Sequence, residues 1–149
     1  MYLIKTIKQG AALALLVFIT VGCSSEKTEQ EYFTLHKLVT KGLQLRKIDI
    51  YEIFNKSDVL VGGAVFLKDE NRITYLFSAL NDEGRKKQAM SFLIDYVIKR
   101  YSEKSMMLDF EGSMIDGIAR FYKGFGAEEV NYFRLKRNNL PWFYRIFKK

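Results

Sequence analysis

The sequence predicts an α+β domain in the order helix, three-strand meander, helix, strand, helix, strand, with helices packed on a mixed, mostly antiparallel sheet. Two observations carry this. The apolar residues change period along the chain, from helical spacing to alternation and back. Two short polar turns, Asn55-Lys56-Ser57-Asp58 and Asp69-Glu70-Asn71, fall where the hairpins of a meander need them. The 149 residues suffice for one modest domain. A hydrophobic content of 48% against 28% charged excludes a disordered chain.

Each element has its own signal. Over 29–47, Phe33, Leu35, Leu38, Val39, Leu43 and Leu45 recur at mostly helical spacing. Residues 48–54 alternate. Residues 59–67 read as a buried strand whose Gly62-Gly63 predicts a bulge or a close backbone approach. Residues 72–80 make the third strand, and 81–85 interrupt. Over 86–101, Ala89, Phe92, Leu93, Tyr96, Val97 and Tyr101 form the stripe of an amphipathic helix. A short strand follows at 106–110, a helix at 115–123 stopped by Gly124, and an alternating strand at 130–136. The tail LPWFYRIFKK either seats on lipid as an aromatic-basic patch or closes the sheet edge.

Charge and rare residues narrow the chemistry. The net charge of +7 suits a phosphate-bearing ligand, an anionic membrane or plain solubility, and no arginine-rich block or zinc pattern points to a specific nucleic-acid partner. Cys23 is the single cysteine, which excludes an internal disulfide and a multi-cysteine metal site, so no metal is expected. His36 is the single histidine and lies far along the chain from the candidate site, so a Ser-His-Asp or Cys-His mechanism is not expected.

The first residues read as an export signal. Lys5 and Lys8 form a positive n-region, and AALALLVFITV is an apolar run of 11 residues, shorter than the roughly 20 a helix needs to span a bilayer. Thr20-Val21-Gly22-Cys23 resembles a bacterial lipobox, with threonine where leucine is usual. The expected division is a lipoprotein-type signal over 1–22, a tether over 23–29 and a domain over 30–149. Lipidated Cys23 would anchor the chain to the membrane; with the signal unused, the chain stays cytoplasmic.

The run from Met107 to Glu129, with ARFYKGFGAEE inside it, and the order of elements resemble the GNAT acyltransferase fold. The second domain of the FemABX group is the more specific resemblance. It covers about 30–140 and implies a GNAT-like sheet lacking the usual first strand and first helix, which the leader replaces. It also implies acyl transfer from acetyl-CoA or another acyl-CoA, with aminoacyl-tRNA the less favoured donor, to a small-molecule or peptidoglycan-precursor amine. The alternative is a membrane-anchored or truncated, non-catalytic binding domain.

The resemblance assigns roles. In such folds the donor's pyrophosphate sits at the start of the helix after the meander, which here corresponds to Gly84, Arg85, Lys86, Lys87, Gln88 and Ala89. Gly84 would let the backbone approach and the three cations would neutralise phosphate. The usual glycine three residues after Arg85 is replaced by Gln88, and an ordinary capped helix is the other reading. Tyr122 of Phe121-Tyr122-Lys123-Gly124-Phe125 corresponds to the tyrosine that protonates the leaving thiolate, or else it packs on the sheet. Asp109 and Glu111 flank Phe110 at the end of a strand, where alternation puts i and i+2 on one face, and offer a general base; ion pairing or a place beside a helix N-terminus is their other reading, and Glu111 is the preferred base.

Overall fold

The computed structural model describes residues 2–7, 29–111 and 115–131. Nine elements run in chain order: β1 (Leu3–Ile7), α1 (Glu29–Gln44), β2 (Ile48–Phe54), β3 (Leu60–Lys68), β4 (Arg72–Leu80), α2 (Asp82–Lys86), α3 (Ala89–Tyr101), β5 (Met107–Asp109) and α4 (Asp116–Lys123). The five strands form one sheet in the order β1-β2-β3-β4-β5. The first three pairings are antiparallel and the last, β4 with β5, is parallel.

The meander forms because its strands alternate between two buried faces. On one face Tyr51, Ile53, Ala64, Phe66, Ile73 and Tyr75 meet Leu93, Ile94 and Val97 of α3. On the other, Ile48, Ile50, Val65 and Ala79 meet Val39 of α1. Burying both faces gives β2 and β3 their nearly unbroken apolar character. Gly42 lets α1 come close to β2: a Cβ there would lie 2.3 Å from Ile48 Cδ1. The double glycine of β3 does what its sequence predicts. The β2–β3 register shifts where Ile53 opposes Gly62 and Phe54 opposes Leu60, and a Cβ on Gly62 would lie 2.6 Å from the Ala79 carbonyl oxygen.

The expected absence of a first strand is corrected. Leu3–Ile7 pairs with β2 from Leu3↔Phe54 to Ile7↔Ile50. Alternation explains it: Tyr2 and Ile4 pack on the α3-side core, with the Tyr2 ring centroid 5.6 Å from that of Phe92. Lys5 on the opposite face pairs with Asp58 at 2.9 Å and lies over the Phe54 ring. A positive n-region and a short edge strand share one pattern at this length, so the lysine that suggests export also suits a protected sheet edge. Cys23, Lys8, the 11-residue apolar run and the tail 140–149 lie outside the described residues, as does most of the strand expected at 130–136; Val130 and Asn131 are not in a strand.

Helix boundaries differ from expectation at two places. The helix expected over 86–101 begins at Ala89, because Gln88 adopts left-handed φ 53 and ψ 40 and breaks it from α2. Gly124 does cap α4, but with right-handed φ −61; the left-handed glycine is Gly126, φ 82, two residues on.

Deleting residues 2–7 removes the burial of Tyr2 and Ile4 and should cost on the order of 3 kcal/mol. A thermal midpoint lowered by several degrees is expected, and an unchanged midpoint would show that β1 adds nothing to the fold.

Candidate active site

The site is built on a fork. β4 and β5 pair only over Arg72–Thr74 and Met107–Asp109, and β4 then continues to Leu80 with no strand on that edge among the described residues. The short contact is fastened by the Met107 amide donating to the Asn71 carbonyl at 2.8 Å and by Arg72 paired with Asp109 at 2.9 Å. Beyond it, an edge of about 17 Å (five steps of about 3.4 Å) exposes backbone donors and acceptors that a sheet would normally pair.

Tyr122 lies at the point of separation. Tyr75 and Phe110 are the first residues past the last paired positions, Thr74 and Asp109. The Tyr122 ring stacks on Phe110 at 4.3 Å and meets Tyr75 edge-on at 6.2 Å. Phe121 and Tyr122 of α4, with Phe125 just past its end, pack inward on the core, while Ile118 and the preceding Ile115 are exposed. Burial raises the Tyr122 pKa, so its hydroxyl stays protonated throughout the neutral range. Tyr75 is more deeply buried, and that burial pushes its pKa up to about 12 against the opposing pull of its hydrogen bond to Ser78. Tyr75 and Phe110 frame the site, yet the sequence alone read both as ordinary apolar strand positions.

The two carboxylates do not converge. The strand ends at Asp109, and Glu111 has left-handed φ 56, so the alternation that would turn both acids to one cleft stops between them. Asp109 holds Arg72 and accepts from the Glu111 amide at 2.8 Å, which fixes the turn. Glu111 itself is exposed beside the fork.

At the far end of the free β4 edge lies the loop 81–89, and it divides its work. Asn81 caps α2, accepting from the Gly84 amide at 2.8 Å. Gly84 is required for a close approach, but to the protein: a Cβ would lie 2.5 Å from the Val61 carbonyl oxygen. Lys87 pairs with Glu83 at 2.8 Å, and Glu83 also accepts from Asn55 at 3.0 Å. These contacts hold the Glu83 carboxyl below the usual range. Arg85 and Lys86 are exposed, and Ala89 is fully buried.

The next helix starts one turn later. α3 has 13 residues and its N-cap, Gln88, makes no side-chain cap. The Ser91 amide bonds to the Gln88 carbonyl, and the helix presents its partial positive charge at Ala89 and Met90. Gln88 occupies the left-handed conformation that favours glycine.

Sequence reasoning also missed Glu52. It is 8% exposed, in the middle of β2, and desolvation raises its pKa. Lys5 opposes it across the β1–β2 pair but bonds to Asp58 instead. No sequence signal marks it, since one acid in an alternating strand ordinarily faces water.

No family model matches the chain, and no curated protein matches its sequence. Solved structures do resemble it. A possible acetyltransferase from Clostridium difficile 630 aligns with TM-score 0.72 at 14% identity, covering 95% of this chain and 99% of that one. AAC(6')-Iy, in complex with the bisubstrate analogue CoA-S-monomethyl-acetylneamine, aligns at 0.66 and 11%, covering 94% and 99%. A predicted acetyltransferase from Clostridium acetobutylicum, with acetyl-CoA, aligns at 0.66 and 12%, covering 93% and 96%. At these identities the resemblance establishes the fold: a GNAT-like α+β domain.

Two outcomes follow from the strained and the buried residue. Gln88→Gly should raise stability by up to about 1 kcal/mol, because relief of the left-handed conformation slightly exceeds glycine's entropy cost; a fall in thermal midpoint would contradict the assigned backbone. Because its folded pKa is raised, Glu52 stabilises most below its unfolded value, and that contribution is lost as pH rises through the folded pKa. Glu52→Gln should therefore gain stability relative to the parent between pH 4 and pH 7. A difference independent of pH would show that Glu52 titrates as an exposed acid.

Proposed function

We propose that the chain is an N-acetyltransferase that moves an acetyl group from acetyl-CoA to an amine. The observation that carries this is the β4 edge, unpaired beyond Thr74 among the described residues, which runs from the start of α3 to Tyr122. An extended arm with amide groups can complete the edge hydrogen bonds, as an added strand does. A pyrophosphate suits the exposed turn that leads into α3, with Arg85 and Lys86 alongside. The thioester then falls at the fork. That two of the resembling structures hold a CoA analogue and acetyl-CoA supports the same donor.

In the reaction the neutral amine attacks the thioester carbonyl, a C–N bond forms and the C–S bond breaks. The departing sulfur takes the proton of the Tyr122 hydroxyl, which burial keeps in its protonated form. The amine's surplus proton passes to water or to Glu111, the exposed carboxylate beside the fork; Asp109 is held by Arg72. A small-molecule amine is supported by the acetylneamine analogue in one resembling structure. A peptidoglycan-precursor acceptor, the FemABX-type donor and the non-catalytic anchored domain have no comparable support here.

The same proposal keeps residues 1–22 on the chain. Cleavage before Cys23 would strip β1 from the sheet and, with it, the contacts of Tyr2 and Ile4. A chain that retains β1 works beside the cytoplasmic supply of acyl-CoA, so lipidation at Cys23 belongs to the competing reading.

Acetyl-CoA or CoA at one hundred times its dissociation constant should stabilise the full chain by about 2.7 kcal/mol. Tyr122→Phe should lower kcat on the order of 10²-fold while that stabilisation persists. Absence of any CoA effect on a folded sample would remove the donor assignment; normal turnover by Tyr122→Phe would remove only the acid.

A further inference from the structure

We infer that the outward face of α1 is a docking surface for an anionic bilayer. Three large apolar side chains stand out of this face, Phe33 at 59%, Leu38 at 54% and Leu45 at 60% exposed, and Leu67 of β3 adjoins them. Leu38, Leu45, Ile48 and Leu67 line an open apolar groove of about 550 Å³. Lys37 and Lys41 stand among them, with Arg46 and Lys47 at the helix end, and residues 33–47 contain no Asp or Glu. At 100° per residue, Phe33, Lys37, Lys41, Leu45 and Leu38 fall within about 140° of the helix surface, opposite the buried Val39.

The burial pattern makes this face unusual for a water-exposed helix. Leu35, Val39 and Leu43 already supply the stripe that attaches α1 to the sheet. The second apolar set is not needed for the core. Interleaved leucines and lysines suit a bilayer interface, where apolar tips enter the acyl boundary and long lysine stems reach phosphate. Lys37 already lies over the Phe33 ring, 4.8 Å from its centroid.

Charge decides among occupants. A second copy docking face to face would set the same cations against each other, whereas anionic lipid complements them. Asp69, paired with Lys47 at 3.0 Å, and Glu70 beside it lie in the β3–β4 turn, and the first turn of α1 adds Glu29 and Glu31 ahead of the basic run 33–47. The face lies across the sheet from the aromatic cluster of Tyr122, so docking leaves the fork open.

The test is sedimentation of the full chain with vesicles of phosphatidylcholine alone or of an even mixture with phosphatidylglycerol. Binding to the mixed vesicles, reversed by high salt, is expected. The double variant Leu38→Glu/Leu45→Glu should abolish it with the thermal midpoint retained, and Lys37→Gln/Lys41→Gln should weaken it about thirtyfold. Failure to bind mixed vesicles overturns the inference, as does equal binding to neutral ones. Binding unaltered by both variants would move the contact to another segment, and self-association lost in the leucine variant would make the face a dimer interface instead.

Discussion

Three residues of parallel pairing between β4 and β5 determine what this sheet can do. Were β5 longer, its backbone would satisfy the β4 edge and leave a closed sheet. Asp109 prevents that by turning its carboxylate both to Arg72 and to the Glu111 amide, so the chain leaves the sheet at Phe110. An exposed ion pair of this kind contributes at most about 1 kcal/mol. Its importance is geometric, because it fixes where the strands part. Phe110, Tyr75 and Tyr122 then fill the apex, so the end of the open edge is walled with aromatic rings and a protonated hydroxyl.

The opposite end of β4 is held in place by contacts that have nothing to do with a ligand. Asn81 caps α2 and Glu83 joins it to the β2–β3 turn through Asn55, while Gly84 lies against Val61. The short helix is thereby fastened, and the break at Gln88 redirects the chain so that the start of α3, rather than of α2, is the uncapped one.

Much of the fold was legible because periodicity reports burial. Residues 48–54 and 72–80 begin and end as their alternation predicts, and the glycine pair at 62–63 marked the bulge. The first strand was not legible, since Leu3–Ile7 owes its place to Tyr51 and Ile53 of a partner strand distant in sequence. In the site, Tyr122 was identifiable from its motif, but its neighbours were not. Tyr75 and Phe110 become site residues only through the place where two strands diverge, and the buried Glu52 only through packing. The convergence of Asp109 and Glu111 failed for a local reason: one left-handed residue ended the alternation.

The central claim, that the free β4 edge receives the donor, is open to direct measurement by amide hydrogen exchange of the full chain with and without CoA. Amides of Tyr75–Leu80 directed away from β3 should exchange freely in the chain alone and become protected when CoA is added. Protection confined to other segments, or no protection at saturating CoA, would contradict it.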